Sequence, residues 1–261
     1  MSATIRFDEA WSRKVEAIYA TPDMAAQRLA VLRLLAPRRG ERILDVGAGP
    51  GFLTQDLAHA VGPEGTVEGI DVADAMLTLA QRRCADLPAV RLQLGDATRL
   101  DYPDGAFDAA VSVQVMEYIE DVDCALCELA RVLRPGGRAL VVATDWDSAV
   151  WHAADRSRTV RILNAYAEHC PHPHLPCTLG PRLASAGLRV AALESFTLLN
   201  TRFIPDTYSH GIMGFIAAFV PGHGGVTQEE AESWIEDFRQ REAAGDYFFS
   251  LNRYLFLAER A

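Results

Sequence analysis

Arg42-Ile43-Leu44-Asp45-Val46-Gly47-Ala48-Gly49-Pro50-Gly51 joins a short apolar run to a turn carrying three glycines, and helical spacing resumes at residues 53–60. Strand, glycine turn and helix in that order make the entry unit of a nucleotide-binding α/β sheet, because glycine permits a tight turn and a close ligand approach. The spacing is Gly-x-Gly-x-Gly rather than the dinucleotide pattern Gly-x-Gly-x-x-Gly. Asp45 stands directly before the turn, where a carboxylate would repel a pyrophosphate and attract an ammonium or a sulfonium. The loop suits a cationic ligand. Pro50 stiffens it and removes one backbone donor.

Outward from this unit, apolar runs at 43–46, 66–70, 90–94, 107–113 and 138–143 alternate with helical stretches at 53–60, 75–84 and 122–133. Such alternation predicts an α/β doubly wound parallel sheet. On the N-terminal side, residues 5–40 are predicted helical, with Trp11, Val15, Ile18 and Tyr19 on one face and Leu29, Leu32 and Leu35 ahead of Pro37 and Gly40. On the C-terminal side, residues 145–181 are rich in Trp, His and Pro and are expected to wall the strand ends, with one helix at 156–166. A short helix at 181–186, a strand at 190–198, two helices at 203–220 and 227–243, and a last strand at 247–258 follow. No repeat or linker interrupts the chain, so it is taken as one domain, 1–261: a helical lid to residue 40, a core at 41–144, and a cap with the last strands at 145–261.

Across the 261 residues, 49% are hydrophobic, 23% are charged and the formal net charge is −10. That balance disfavours a nucleic acid or an anionic membrane as partner. Five cysteines are too few and odd for a disulfide framework, which implies a reducing compartment and a cytoplasmic address. Residues 1–10 are polar, with Asp8 and Glu9 where a secretory signal would be apolar, and the run 211–220 is too short to span a bilayer.

Two further acids end strands. Asp71 closes the second, about twenty residues beyond the turn, where an acid in such sheets takes ribose hydroxyls. Gly95-Asp96-Ala97 closes the third and can meet an adenine amino group. Each has a plainer role available, Asp71 as a helix cap and Asp96 as a turn acid, but three acids at three successive strand ends form one nucleoside-binding edge.

With these motifs in place, residues 42–143 resemble the class I S-adenosylmethionine-dependent methyltransferases, in particular the small-molecule group that includes the ubiquinone and menaquinone C-methyltransferases. The resemblance places the cofactor on Asp45, Gly47, Gly49 and Gly51, its ribose on Asp71, its adenine against Val72 and Met76 with the third motif at Asp96 and Ala97, and a further cofactor contact on Gln114 in the family's post-strand segment Ser112-Val113-Gln114-Val115-Met116-Glu117-Tyr118. Leu133-Arg134-Pro135-Gly136-Gly137 matches the family's turn into the fifth strand. It implies a seven-stranded Rossmann-like sheet with the last strand antiparallel, S-adenosyl-L-methionine as cofactor and S-adenosyl-L-homocysteine as product. A monomer or homodimer acting on a small molecule is expected.

Methyl transfer is a displacement at a sulfonium, so the protein's task is alignment and exclusion of water, with a base only where the acceptor needs one. The segment after the fifth strand, Asp145 to His152, faces the methyl group in the resembled fold; Asp145 and His152 are candidate bases, Trp146 and Trp151 candidate stacking surfaces. His210 is a third candidate, on an aromatic helical face with Phe203, Tyr208, Phe215 and Phe219. Trp11 and Tyr19 are candidate lid residues over the same pocket, and an apolar or aromatic acceptor is expected.

The run His169-Cys170-Pro171-His172-Pro173-His174-Leu175-Pro176-Cys177 offers five potential ligands, yet three prolines predict an extended segment and neither Cys-x-x-Cys nor His-x-x-x-His is present in it, so no metal is assigned. Cys124 and Cys127 do form Cys-x-x-Cys, but within the helix at 122–133, where buried small side chains are expected. Two alternatives stand beside the methyltransferase reading. One is an arsenite methyltransferase using Cys84, Cys170 and Cys177 thiolates; the other is a non-catalytic S-adenosylmethionine-binding protein, against which the large aromatic cap argues.

Overall fold

A computed structural model of the chain describes residues 9–261. The start of the expected helical lead-in, residues 5–8, and most of the 1–10 segment discussed above lie outside the described residues. The lead-in is two helices, α1 (Glu9–Tyr19) and α2 (Pro22–Leu35), the second begun by a proline at a position that needs no N–H donor. Strands and helices then alternate as β1 (Arg42–Val46), α3 (Phe52–Val61), β2 (Thr66–Asp71), α4 (Asp74–Arg83), β3 (Val90–Leu94), β4 (Phe107–Val113), α5 (Val122–Val132) and β5 (Leu133–Thr144). Beyond them come β6 (Val150–Trp151), α6 (Arg156–Ala167), α7 (Pro176–Ser185), β7 (Leu188–Asn200), α8 (Tyr208–Phe219), α9 (Gln228–Ala244) and β8 (Phe249–Arg260).

The sheet runs β3-β2-β1-β4-β5-β8, with β7 on the far side of β8. β1 to β5 pair parallel, while β8 pairs antiparallel with both β5 and β7 and so is inserted between two strands of the opposite direction. The expected antiparallel last strand is therefore present. Among the described residues the sheet has eight strands rather than seven: β6 is a two-residue strand on Ser250 and Phe249, within the stretch expected to be only a wall.

Burial on both faces explains why β1 and β4 are nearly continuous apolar runs. One face packs Leu126 and Leu129 of α5 and Leu179 and Leu183 of α7 against Leu44, Val141 and Phe256. The other packs Val31 and Leu35 of α2 and Leu53, Leu57 and Val61 of α3 against Ile43, Val111 and Leu140. Each such aliphatic side chain, taken out of water, stabilises by about 2 kcal/mol. A third apolar cluster lies in the cap, where Trp151, Trp234, Phe238 and Phe249 meet ring to ring.

Several local expectations change. Residues 169–177 are not extended: turn bonds from Leu175 N to His172 O (3.2 Å) and from Cys177 N to His174 O (3.1 Å) fold them into α7, which starts at Pro176 rather than at 181. α8 begins at Tyr208, leaving 203–207 as connection. Cys124 is half-buried and Cys127 exposed, so the Cys-x-x-Cys pair lies on the outer side of α5 and not in its core. Among the described residues no helix is long and apolar enough to cross a membrane.

Candidate active site

The parallel strands deliver their ends to one edge of the sheet. β1 ends into the glycine turn, β2 at Asp71, β3 ahead of Asp96, β4 ahead of Gln114 and β5 at Thr144. The three glycines of the turn do different work. Gly47 has φ +75° and a Cβ there would stand 2.2 Å from Val115 Cγ2; Gly51 has φ +81° and would meet Ala80 Cα at 2.8 Å. Both are fixed by packing within the protein. At Gly49, with φ +53°, a Cβ would meet only Gly47 O at 4.0 Å, so this glycine keeps open the space facing the cavity.

Asp71 shapes that turn. Its Oδ2 accepts from Gly49 N (2.8 Å) and its Oδ1 from Ala73 N (2.9 Å), so one side chain holds both the turn and the entry to α4. A carboxylate has about four lone-pair directions, which leaves capacity for a diol. Asp45 is 2% exposed, accepts from Thr54 Oγ1 (2.6 Å), and burial, opposed by that bond and reinforced by Asp71, pushes its carboxyl up to about 7. Asp96 lies open at the end of β3, where Thr98 N and Oγ1 both donate to its Oδ1 at 2.8 Å and hold its pKa below the usual range.

These groups line a cavity of about 690 Å³ that continues under the cap. Between the two halves stands Gln114, with φ +58° in a left-handed conformation unusual for a side-chain-bearing residue. Its Oε1 accepts from Tyr19 Oη (3.4 Å) and its Nε2 donates to Thr144 Oγ1 (3.5 Å), joining the lid to the end of β5. Above it, Trp11 meets Phe215 edge to face at 4.2 Å, and Gly211 lets α1 lie on α8, since a Cβ there would fall 2.4 Å from Ile18 Cγ1. α1 is also tied to the glycine turn: Glu16 pairs with Arg83 (2.5 Å), which donates to Pro50 O (2.9 Å) and lies over the Phe52 ring.

His169 borders the cap side. It is 4% exposed, stacks on Tyr166 at 4.1 Å and meets Trp146 edge to face. Its Nδ1 lies 2.5 Å from Tyr166 O, an atom that can only accept, so Nδ1 carries the proton and Nε2 receives the Tyr118 hydroxyl at 3.2 Å. Burial lowers its pKa to about 4, keeping the ring neutral.

Of the cofactor residues expected from sequence, Asp45, Gly47, Gly49, Asp71, Val72, Met76, Asp96, Ala97 and Gln114 line this cavity, and Gly51 does not. Of the pocket residues, Trp11, Tyr19, Trp146 and Tyr208 line it; Trp151 is held in the cap by Tyr247 Oη (2.9 Å) and Phe203 lies against Tyr247 and His210. The three base candidates are not brought to it. Asp145 accepts from the short turn it begins and from His174 (3.2 Å), His152 pairs with Asp246 on the outer surface, and His210 lies tilted against Phe203 at 4.8 Å. His169 and the buried Arg253 were missed because their approach depends on chain segments far apart in sequence.

The ligand set of 169–177 does not gather either. Among the described residues, the His, Cys, Asp and Glu atoms that lie within 4.8 Å of one another are those of Asp145, Asp147 and His174. Cys84 is buried beside Gly51 O, Cys170 is buried with its thiol pushed up to about 12, and Cys177 is exposed, so the thiolate trio of the arsenite alternative is not assembled.

A methyltransferase domain family matches residues 44–141. An uncharacterised 37.1 kDa protein of a Streptomyces fradiae transposon is 41% identical over 151 residues, 58% of this chain and 43% of that protein. The demethylmenaquinone methyltransferase of Symbiobacterium thermophilum is 41% identical over 104 residues, 39% of this chain and 41% of that one. The chain thus spans less than half the length of these curated relatives. In fold, it superimposes on a Haemonchus contortus phosphoethanolamine N-methyltransferase solved with S-adenosyl-L-methionine, with a TM-score of 0.64 and 20% identity over 97% of this chain and 57% of the other. Residues 44–141 are thus similar to a methyltransferase domain, and part of the chain is similar to the demethylmenaquinone methyltransferases.

Proposed function

We propose that the protein transfers a methyl group from S-adenosyl-L-methionine to a small, largely apolar or aromatic metabolite, releasing S-adenosyl-L-homocysteine. The carrying observation is the single cavity that joins Asp45, Gly49, Asp71 and Asp96 to the aromatic cap. The residues suit the cofactor on three counts: Asp71 keeps lone pairs for ribose hydroxyls, Gly49 leaves room where a side chain would intrude, and Asp45 is a buried carboxyl with no cationic partner among the described residues. The bound cofactor supplies an activated sulfonium methyl. The chain's own work is then positional: Asp71 and Asp96 fix the nucleoside, Gln114 with Tyr19 closes the lid over the reacting end, and Trp11, Trp146 and Phe215 exclude water and present a planar surface to the acceptor. A quinone-like ring fits that lining. Tyr118 and the neutral His169 supply the polar atoms on the cap side.

The test is incubation of the purified protein with methyl-labelled S-adenosyl-L-methionine and a fractionated metabolite extract. Label is expected in a low-mass, organic-soluble fraction. No label in any fraction, together with no binding of S-adenosyl-L-homocysteine, would overturn the proposal.

A further inference from the structure

Arg253 of β8 stands opposite Thr144, the last residue of β5, and so beside the edge where the cavity opens. It lines that cavity and is fully buried. Its Nη1 donates to Gln27 Oε1 and lies 3.2 Å from Met24 Sδ, and its guanidinium carbon is 4.7 Å from the centre of the Tyr208 ring. Nε and Nη2 have no partner, and Arg253 enters no ion pair among the described residues. Glu117, also buried, spends Oε1 on Thr144 N, leaves Oε2 without a partner and makes no bond to Arg253, whose charge nonetheless acts to lower the Glu117 pKa against the stronger effect of burial.

A guanidinium cannot shed its charge, and burying one without a bonded counter-charge is costly. Here the pattern of use is informative. Nη1 is taken by neutral groups, which leaves the edge formed by Nε–H and Nη2–H. Those two bonds run parallel at the spacing of the two oxygens of a carboxylate. A phosphate dianion would call on more than one fork, and the other arginine of the cavity, Arg28, is already held by Asp56 (3.0 Å) and Tyr19 O (2.8 Å).

We propose, resting on the methyltransferase reading, that the acceptor is an apolar or aromatic acid whose carboxylate docks on the free Nε/Nη2 edge of Arg253. The surrounding rings hold the rest of the molecule, and the carboxylate sets its register in the cavity.

The experiment titrates the full chain, saturated with S-adenosyl-L-homocysteine, with four carboxylates (benzoate, cinnamate, 2-naphthoate and decanoate) and with their neutral amides. At least one acid is expected to bind roughly ten-fold or more tightly than its amide, the yield of one buried charge-assisted fork. Arg253→Met should erase that preference while leaving amide affinity within about two-fold, and Arg253→Lys, which keeps the charge but loses the fork, should restore part of it. Equal binding of acids and amides by the unmodified protein, no binding of any acid, or a preference that survives in a folded Arg253→Met variant overturns the proposal. Because the acid-to-amide comparison is made first on the unmodified protein, it decides the proposal even where a variant fails to fold. Failure to bind S-adenosyl-L-homocysteine would instead count against the methyltransferase reading; the comparison is then run on the ligand-free protein and decides the Arg253 assignment separately.

Discussion

Asp71 bears two structural bonds and, in the proposed complex, two ribose hydroxyls as well. Asp71→Ala should therefore weaken S-adenosyl-L-homocysteine binding by about a hundred-fold in titration calorimetry, the loss of two hydrogen bonds to a charged group. It should also lower the melting temperature, since Gly49 N and Ala73 N lose their acceptor. Unchanged affinity with a lowered melting temperature would leave Asp71 a structural acid only. This residue was legible because a strand end fixes its place: once β1 and β2 are recognised, the side chains at their carboxyl ends must share an edge. Asp145 shows where that logic stops. It too ends a strand, but its side chain is drawn into the short turn it begins and toward His174, and no periodicity carries that information. Arg253 was hidden for a related reason, since an arginine in a late strand acquires meaning only when antiparallel pairing sets it across from Thr144.

At the scale of elements, the lid depends on a helix pair that touches at a glycine. Gly211→Val would force Ile18 and α1 away from α8, and about 1–3 kcal/mol of stability should be lost in urea unfolding. The more specific expectation is local. Amides of α1 should exchange roughly ten-fold faster by hydrogen exchange while those of β1 and β4 keep their protection. Equal exchange of α1 in variant and parent would mean that the Glu16–Arg83 pair and the Trp11–Phe215 contact hold the helix without α8 packing at that point. Helical periodicity sufficed to find α1 and α9, the latter sealed by Thr227 and Glu230 in a reciprocal cap. It could not find β6 or the turns of 169–175, which are held by partners elsewhere in the chain, such as Phe249 for Trp151 and Glu117 O for His172 N.

For the whole molecule, three strongly shifted buried groups dominate the response to pH, with Asp71, raised by burial, acting in the carboxyls' direction and His210, lowered by burial, in the imidazole's. Burial raises Asp45 from 3.8 and Glu117 from 4.5, each to about 7, and lowers His169 from 6.5 to about 4. From pH 4.5 to 6.5 the native state holds two carboxyl protons that the unfolded chain has shed, while the unfolded chain holds an imidazole proton that the native state refuses. The net sign is a loss of stability with rising pH, about 1 kcal/mol per pH unit, and this slope persists to about pH 7 because the histidine offset and the native carboxyl protons fade together. Carboxylates whose pKa is lowered, such as Asp96 and Asp246, act below this window. The ligand-free protein should thus melt at a lower temperature at pH 8 than at pH 6. A cation beside Asp45 favours its ionised form, so the affinity for S-adenosyl-L-homocysteine, which carries an ammonium, should rise about ten-fold over the same range. Asp45→Asn should flatten that rise and remove part of the fall in melting temperature. A melting temperature that climbs from pH 6 to pH 8 in the ligand-free protein would mean that the buried carboxyls are ionised by a partner already within the fold, and the reading of the glycine turn as a seat for a cationic ligand would lose its electrostatic basis.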